Sequence, residues 1–560
     1  MDNGAWSFHL IDQMICQGVT RFCIAPGSRS TPLALAAARH PKAEIFVHPD
    51  ERGLGFFALG CALGTTQCAA LIATSGTAVG NLLPSVMEAK HSSIPLLLLT
   101  ADRPSELRDC GANQTTDQIK IFQNFLVWQT DLPPPDASLS EEFVRSQVAF
   151  AVSRAKIESG PVQINCQFRE PLYTAPASYR QGSLQPYFPS SLQPTEEQIA
   201  YAEAKIRRAQ KGLILLGRLP AGLDPRPILA LGKRLGWPIF ADILSRAGSY
   251  PTPEQIRQFD YAIRSNKAPA PDCVLYFGGS FVSKYLPPWI QKAKAEVLHI
   301  DTLGERIDTQ HVRPARILAH PALFCEALQT KKTTDLSYLE RWQEIDRVLQ
   351  ETIEACFSEP HPFVEPDLMR KLASLLPKEA NLFLANSMPI RDAGYFCASK
   401  GPVFCNRGLS GIDGQIATAA GLSLSTQKPT VAVLGDQSSL HDLNSILLLR
   451  NINTPFLLII SNNFGSGIFS HVAIAQEDSH FEKLFAASHD LQFEEAAKMF
   501  SIPYSSLSQI DQLETLFPAS SARILEIFTS RKENACFQKR VLEKCCLALS
   551  EKRSTCLAEF

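Results

Sequence analysis

Two polar turns, each following an apolar run, contain the side chains best suited to chemistry. Asp436 comes directly after the run PTVAVLG, and Asn463 and Gly465 come just after the run FLLIIS. Twenty-six residues separate Asp436 from Asn463, about the length of one crossover between parallel strands, so we expect both turns at one edge of a sheet. A carboxylate, an amide oxygen and a backbone carbonyl suit Mg²⁺, which takes phosphate oxygens as further ligands. A helix predicted to begin near Ser439 would offer free N–H groups to the same phosphates.

A third candidate is the acid near the start of an apolar helical pattern in EIFVHPDERGLGFFALGCALG, residues 44–64. Glu51 stands where a strand-like run gives way to a glycine-dotted helix. The helix dipole favours a carboxylate at this position, so Glu51 also has a purely structural interpretation. The turns at Asp436 and Asn463 could each be an ordinary helix-capping turn. Both turns together, at this spacing, favour a metal and diphosphate site over two unrelated caps.

Several other loops after predicted strands carry arginine, serine and amide side chains. At least four arginines stand in such loops, and a guanidinium group binds a carboxylate through two parallel hydrogen bonds. The loops therefore predict a polyanionic substrate, although each arginine alone could belong to a surface salt bridge. The candidates are Ser28, Arg29, Arg103, Asn113, Gln114, Ser387, Arg391 and Arg407.

Short apolar runs alternate with helical patterns along the whole chain. RFCIA, EIFVH, CAALIAT, PLLLLT, GLILLG, PIFAD, CVLYFGG, EVLHID and NLFLAN are predicted strands, while TPLALAAAR and TAVGNLLPSVMEAK are predicted helices. This alternation predicts an α/β fold with open parallel sheets covered by helices on both faces. Proline-rich stretches at 174–198 and 356–368 are predicted linkers. The expected division is three α/β domains at 1–180, 195–355 and 365–540, followed by a tail at 541–560.

Composition describes a globular protein of several domains. The chain has 560 residues, of which 45% are hydrophobic and 20% charged. A net charge of −2 argues against a nucleic-acid partner. The 15 cysteines are scattered without a CxxC pair, which favours reduced thiols in a cytoplasmic protein over disulfides or a zinc site. We find no signal-peptide pattern, and the apolar runs are too short to span a membrane.

The metal pattern resembles the diphosphate and metal motif of thiamine diphosphate enzymes, with Gln437 where glycine is commonest. APGSRSTPL, DERGLGFFALG, TSGTAVGNLLPSVMEA, LLTADRPSELRDCGANQTTDQ and NRGLSGIDGQIATAAG closely resemble one group of them. That group is the 2-succinyl-5-enolpyruvyl-6-hydroxy-3-cyclohexene-1-carboxylate synthase family of menaquinone and phylloquinone biosynthesis. The resemblance covers essentially the whole chain, and it implies pyrimidine-binding, middle and diphosphate-binding domains.

The resemblance also implies a reaction and its partners. Such enzymes decarboxylate 2-oxoglutarate with thiamine diphosphate and Mg²⁺ or Mn²⁺. They then add the succinyl carbanion equivalent to isochorismate in a 1,4 sense. Both substrates are dicarboxylates, which agrees with the arginine count. The implied protein is a cytoplasmic homodimer or homotetramer with its site between subunits, without nucleic acid or a membrane span.

Residue roles follow from the resemblance position by position. Glu51 would activate the cofactor, and Asp436, Asn463 and the carbonyl of Gly465 would hold the metal. The implied cofactor contacts are Glu51, Ile412, Gly435, Asp436, Ser438, Asn463, Ile468 and Phe469. To the eight substrate-binding candidates the resemblance adds Lys284. The family often has a second basic residue after this lysine, and here that position is Tyr285.

Two other functions are compatible with the same residues. Another thiamine diphosphate enzyme, such as an acetohydroxyacid synthase or a 2-oxoacid decarboxylase, would keep the metal motif but need fewer arginines. A non-enzymatic α/β scaffold used for binding would not need Glu51, Asp436 and Asn463. Ile412 could also be plain core packing, and Lys284 a solvated loop lysine.

Overall fold

The computed structural model describes the chain except for residues 66, 221, 305, 331–334, 478, 511–512, 515–519 and 557–560, and leaves the side chains of 552–556 undescribed. Its described strands form three parallel sheets in three successive segments of the chain. The predicted α/β fold with three sheets is therefore confirmed. Among the described residues, no helix combines the length and the apolar character needed to cross a membrane.

The first sheet has six parallel strands. They are β1 (Arg21–Ile24), β2 (Glu44–Val47), β3 (Ala69–Ala73), β4 (Leu96–Asp102), β5 (Trp128–Leu132) and β6 (Pro161–Gln167). The covering helices are α1 (Asn3–Cys16), α2 (Thr31–Arg39), α3 (Glu51–Leu63), α4 (Thr77–Asn81), α5 (Leu83–Ser92) and α6 (Glu141–Ile157). The spatial order is β2-β1-β3-β4-β6-β5. Helix α4 ends at Asn81 and α5 begins at Leu83 with Pro84 in its first turn, so TAVGNLLPSVMEAK is helical as predicted but forms two helices instead of one.

Strand β6 was not among the predicted strands, and one of its two buried faces is polar. Gln163 and Asn165 lie in the sheet interior, where apolar side chains are the usual signal for a strand. Thr100 Oγ1 donates to Asn165 Oδ1 at 2.9 Å, and Gln163 Nε2 donates to Thr100 Oγ1 at 3.0 Å. These hydrogen bonds offset the cost of burying the amides. On the opposite face Val162, Ile164 and Cys166 are buried in the apolar core.

The second sheet has five parallel strands. They are β7 (Gly212–Leu216), β8 (Ile239–Ala241), β9 (Cys273–Phe277), β10 (Glu296–Asp301) and β11 (Ala315–Leu318). Its helices, with a long one that follows, are α7 (Glu196–Arg208), α8 (Arg226–Leu235), α9 (Phe259–Arg264), α10 (Leu286–Ala293), α11 (Pro321–Ala327) and α12 (Ser337–Ser358). The spatial order is β11-β10-β9-β7-β8.

The third sheet repeats the topology of the first. Its strands are β12 (Asn381–Leu384), β13 (Val403–Phe404), β14 (Thr430–Gly435), β15 (Phe456–Asn462), β16 (Tyr504–Leu507) and β17 (Ala522–Phe528). Its helices are α13 (Glu365–Leu375), α14 (Met388–Phe396), α15 (Gln415–Thr426), α16 (Asp436–His441), α17 (Glu494–Met499) and α18 (Arg531–Cys556). The order β13-β12-β14-β15-β17-β16 matches that of the first sheet strand for strand. Helix α18 crosses the expected boundary between residues 540 and 541.

Helices α3 and α15 join the first and third sheets through direct backbone contact. A Cβ atom added to Gly60 would lie 2.1 Å from the carbonyl oxygen of Thr418, and one added to Gly421 would lie 2.1 Å from that of Phe57. Glycine at these positions lets the two helices approach more closely than side chains would permit. This contact sets the position of the first sheet relative to the third.

We expect Gly60→Ala to destabilise the protein by about 1–3 kcal/mol, because the two helices must separate to admit a methyl group. The midpoint of urea unfolding measures the change. Gly80→Ala is the matched control, since Gly80 is also helical and an added Cβ would meet nothing within 4 Å. There the better helix propensity of alanine should leave stability unchanged or raise it by up to about 1 kcal/mol. Equal midpoints for the two variants would contradict the close packing.

Candidate active site

Asp436 and Asn463 meet at the carboxyl edge of the third sheet, after the adjacent strands β14 and β15. Asp436 Oδ2 accepts hydrogen bonds from the backbone N–H groups of Gly465 at 2.9 Å and Asn463 at 3.2 Å. Its Oδ1 accepts from the N–H of Gln437 at 2.6 Å. Burial raises the pKa of Asp436, and these donors partly oppose that rise. A divalent cation beside this buried carboxylate would favour its ionised form.

The side-chain amide of Asn463 is held in one orientation. Its Nδ2 donates to Glu365 Oε1 at 2.7 Å. With the amide nitrogen facing Glu365, the amide oxygen points the other way. Asn463 Oδ1 is buried and receives no hydrogen bond from any described residue. A buried, unsatisfied oxygen beside the carboxylate of Asp436 fits a Mg²⁺ ligand set.

Gly465 and Gln437 fit this turn for steric and hydrogen-bonding reasons. Gly465 has a φ of +151°, and a Cβ atom there would lie 2.7 Å from the carbonyl oxygen of Ala486. Gln437, which stands where thiamine diphosphate enzymes most often have glycine, donates from Nε2 to the carbonyl of Ala487 at 3.0 Å. Gln437 therefore links α16 by a hydrogen bond to the segment that contains Ala486 and Ala487.

Helix α16 begins at Asp436, so the predicted start near Ser439 is three residues too late. The reason is local, because the carboxylate of Asp436 already accepts from the N–H of the next residue. Gly435 precedes the helix as its N-cap, and Ser438 is buried within the first turn. Both therefore stand next to the candidate metal ligands, where the resemblance placed two cofactor contacts.

Glu51 is the first residue of α3 and is half-buried. Asn81 Nδ2 donates to its Oε2 at 3.4 Å. The neighbouring Arg52 donates from Nη2 to the carbonyl of His441 at 2.7 Å, at the C-terminal end of α16. Asp436 lies at the opposite end of that helix, and no hydrogen bond or ion pair between described residues joins it to Glu51 of the same chain.

The loop after β4 brings together part of the first candidate substrate group. Arg103 Nη1 donates to Ser75 Oγ and to the carbonyl of Gln114, the latter at 3.1 Å. Gln114 Nε2 donates to the carbonyl of Ser75 at 2.9 Å. Burial lowers the pKa of Arg103, and the positive charge of Arg29 lowers it further. The two guanidinium groups therefore lie near each other.

Arg29 is partly neutralised within the chain. Its Nη1 donates to the carbonyl of Phe168 at 2.9 Å, and its Nη2 lies 3.2 Å from Glu170 Oε1. The side chain of Glu170 is largely exposed, so this ion pair is weak and can be exchanged for another carboxylate. Ser28 and Asn113 are exposed on the neighbouring loops.

The loops after β12 and β13 form the second candidate substrate group. Ser387 precedes α14 with a φ of +71°, and Arg391, one turn later, donates to its carbonyl. Arg407 Nη1 donates to Asn386 Oδ1 at 3.1 Å. The amide nitrogen of Asn386 donates to the carbonyls of Asn406 and Gly411 at 2.6 and 2.9 Å. Asn386 therefore ties the two loops together.

Cationic side chains of this region line two adjoining cavities. Lys284, Arg391 and Arg407 line a cavity of about 370 Å³ between the second and third sheets. Lys284, Arg391 and Ile468 line a second one of about 210 Å³. Phe469 follows in the same short helical turn as Ile468 and packs against Phe485. Lys284 thus reaches the candidate site from the middle segment.

Ile412 lies in the loop before α15 with 39% of its surface exposed. It is not buried in the core of this chain, so plain core packing does not explain it here. The same loop is anchored by a buried acid, because Glu88 accepts from the backbone N–H groups of Gly408 at 2.7 Å and Leu409 at 2.8 Å.

Sequence reasoning missed Glu88, Glu365 and Asn386, which hold the candidate residues in place. Each is a buried polar side chain. A polar residue inside an apolar pattern was the available signal for Glu88, in SVMEAK, and for Asn386, in NLFLAN. Glu365 lies in a predicted linker, where a charged residue is expected to be exposed to solvent.

Two family models match the chain. Residues 6–121 match one described as the thiamine pyrophosphate enzyme N-terminal TPP binding domain. Residues 174–384 match one described as the middle domain of thiamine pyrophosphate enzymes. The first match includes Glu51 and Arg103, and the second includes Lys284.

Curated relatives align over nearly the whole chain. Three proteins named 2-succinyl-5-enolpyruvyl-6-hydroxy-3-cyclohexene-1-carboxylate synthase illustrate this. The protein from Rubrobacter xylanophilus is 36% identical over 96% of this chain and 98% of its own length. The one from Salinibacter ruber is 36% identical, and that from Chloroflexus aurantiacus 37%, each over 94% of both chains.

We expect Glu365→Ala to weaken binding of Mg²⁺ and thiamine diphosphate about 10-fold or more, because the Asn463 amide loses the acceptor that orients it. Titration calorimetry of the protein with thiamine diphosphate at varied Mg²⁺ measures the affinity. Thr529→Val is the control, since Thr529 Oγ1 donates to the same Glu365 oxygen at 3.2 Å and has no hydrogen bond to Asn463 among the described residues. The control should bind like wild type, and a Glu365→Ala protein that also does so would contradict the orienting role.

Asp442 predicts a pH dependence of stability. It accepts from Ser445 Oγ at 2.7 Å and from the N–H of Ala417 at 3.0 Å, and burial raises its pKa to about 6. In the unfolded chain the pKa is about 3.9. The folded protein therefore keeps a proton that the unfolded chain releases. This contribution to stability is present below about pH 4 and is lost as the pH rises through about 6.

The lost contribution corresponds to about 3 kcal/mol for a shift of about two units. We expect the unfolding free energy of wild type, minus that of Asp442→Asn, to fall between pH 4 and pH 7. Urea unfolding at both pH values measures it, and the same difference at both would contradict the raised pKa.

Proposed function

Since the chain belongs to the 2-succinyl-5-enolpyruvyl-6-hydroxy-3-cyclohexene-1-carboxylate synthase family, we propose that it makes this compound from 2-oxoglutarate and isochorismate, releasing CO₂. It is a thiamine diphosphate enzyme, and the expected place for its reaction is menaquinone or phylloquinone biosynthesis. The single observation that best supports the substrate pair is the cavity shared by Lys284, Arg391 and Ile468. Cations placed beside the predicted apolar wall of the cofactor suit dicarboxylate substrates.

Asp436, Asn463 and the carbonyl of Gly465 would hold Mg²⁺, or Mn²⁺, which in turn binds the cofactor diphosphate. The buried, unsatisfied Asn463 oxygen supports this assignment. When bound, thiamine diphosphate supplies an electron sink for decarboxylation. Gly435 and Ser438 adjoin the metal ligands, and Ile412, Ile468 and Phe469 would pack against the cofactor and exclude water.

Glu51 would exchange a proton with the aminopyrimidine ring of the cofactor. In one chain it lies toward the C-terminal end of α16 and Asp436 at the N-terminal end. We therefore propose that Glu51 of one subunit serves Asp436 of another, in a homodimer or a tetramer built from dimers. A general acid–base group at this position contributes about 10²–10⁴-fold to the rate.

The two arginine groups would orient the substrates. Arg391 and Arg407, fixed by Ser387 and Asn386, would bind carboxylates at the third-sheet edge. Arg103 and Arg29, with Ser28, Asn113 and Gln114 around them, would bind carboxylates and hydroxyls at the first-sheet edge. Every cysteine whose side chain is described is a free thiol, which supports our proposal of a cytoplasmic enzyme.

The test is the loss of isochorismate in the presence of 2-oxoglutarate, thiamine diphosphate and Mg²⁺. Wild type should consume it, and Glu51→Gln should be slower by about 100-fold or more because the proton-exchanging carboxylate is gone. Glu44→Gln is the control, since Glu44 is an exposed carboxylate on β2 that pairs with Arg21. That variant should match wild type.

The remaining outcomes separate the alternatives. CO₂ release from 2-oxoglutarate or pyruvate without loss of isochorismate would keep the thiamine chemistry and reject the substrate pair. Full activity in Glu51→Gln would reject the assignment of Glu51. Absence of any cofactor-dependent thermal shift in wild type would favour a binding scaffold.

A further inference from the structure

We propose that Arg264 binds a carboxylate of a dicarboxylate substrate and that Tyr285 holds its guanidinium group in place. The inference deepens the proposed function and rests on it for the identity of the substrates. Arg264 is the last residue of α9 in the middle segment. No sequence pattern singled it out.

Arg264 and Lys284 both lie over the aromatic ring of Tyr285. Arg264 Cζ lies 4.9 Å from the centroid of the Tyr285 ring, and Lys284 Nζ lies 5.2 Å from the same centroid. Arg264 also lies over Tyr261, at 5.7 Å. Each ring face attracts a cation, but two cations at one ring repel each other unless an anion joins them. The two tyrosines therefore position a guanidinium group beside a lysine.

The cavity that contains this pair carries an excess of positive charge. Four cationic side chains and two carboxylates line it. The cations are Arg257, Arg264, Lys284 and Arg391, and the carboxylates are Asp242 and Asp260. Counting all six groups as ionised, the formal charge of the cavity lining is +2. A cavity of about 210 Å³ with that charge favours a small dianion.

The two carboxylates of the cavity are already engaged. Asp242 Oδ2 accepts from the N–H of Val282 at 2.7 Å, and its Oδ1 from that of Leu244 at 2.9 Å. Asp260 accepts from the hydroxyl of Tyr395 at 2.7 Å and from that of Ser283. Within the described part of the chain, no salt bridge pairs Arg264, Lys284 or Arg391 with a carboxylate.

The same cations surround a histidine of the cavity. His471 lines the same cavity. Desolvation lowers its pKa, and the charges of Arg264, Arg391 and Lys284 lower it further. Arg257 lies near the buried carboxylate of Asp346. Arg264 lines the cavity beside Lys284, and no salt bridge between described residues engages it.

This arrangement gives Tyr285, the residue after Lys284, a structural role. Here the positive charge comes from α9, and residue 285 supplies the aromatic surface on which it rests. A planar guanidinium held on a ring keeps its edge free for a two-point contact with a carboxylate.

The test compares Arg264→Gln, Arg264→Lys and a control, Arg226→Gln. Arg226 is also stacked on a tyrosine of the middle segment, with its Cζ 5.5 Å from the Tyr250 ring, but it pairs with Asp224 and does not line the cavity. Calorimetry on the holoprotein measures the affinity for glutarate, a dicarboxylate without the reactive keto carbon. Steady-state kinetics give KM for 2-oxoglutarate and for isochorismate.

We expect Arg264→Gln to bind glutarate about 10-fold or more weakly and to raise KM for at least one substrate by a similar factor. Arg264→Lys should recover part of the loss because it restores the charge, and Arg226→Gln should match wild type. Tyr285→Phe keeps the ring and should stay near wild type, whereas Tyr285→Ala should weaken glutarate binding.

Unchanged glutarate affinity and unchanged KM values in Arg264→Gln would overturn the inference, as would a wild type that does not bind glutarate. A wild type that binds glutarate through Arg264 but does not consume isochorismate would retain the inference and reject the proposed function. If Arg264→Gln does not fold, the test is the glutarate affinity of Tyr285→Phe and Tyr285→Ala. Equal affinities of these two variants would then overturn the inference.

Discussion

The backbone contact between α3 and α15 is the constraint on which the rest of the structure depends. Gly60 and Gly421 allow each helix to touch the main chain of the other. The contacts also run in register, since Gly414 lies against Phe56 and Gly421 against Phe57 and Cys61. The helices are therefore parallel and begin at the same end. Glu51 at the start of α3 and the loop before α15 are brought to one side of the molecule.

The shared topology of the first and third sheets explains why functional loops recur at matching positions. Ser75 and Arg103 follow the third and fourth strands of the first sheet, as Asp436 and Asn463 follow those of the third. Ser28 and Ser387 follow the first strand of each. Open parallel sheets expose these loops at their carboxyl edges. One architecture thus presents a cationic edge in one sheet and a candidate metal-binding edge in the other.

Both edges are stabilised by buried polar side chains that do not themselves face a substrate. Asn386 joins two loops, Glu88 anchors the loop at Gly408, and Glu365 orients the amide of Asn463. Burying such groups is costly unless they are hydrogen-bonded. Around the middle segment Arg264, Lys284 and Arg391 lie close together, and no salt bridge between described residues pairs them, although Asp242 and Asp260 line the same cavity. A bound dicarboxylate, as proposed above, would offset the repulsion among these cations.

The sequence by itself determined the α/β class, the apolar strands and the polar residues at their ends. This was possible because buried parallel strands require apolar runs, and the spacing between Asp436 and Asn463 limits them to adjacent strands. The motifs also indicated the family, which the relatives confirmed. Only the tertiary structure decided the rest. Four features each depend on residues far apart in sequence. They are the buried amides of β6, the unsatisfied oxygen of Asn463, the ion pair of Arg29 with Glu170 and the stacking of Arg264 on Tyr285. Local patterns do not encode such contacts, because hydrogen bonding and charge balance are set by which elements the fold brings together.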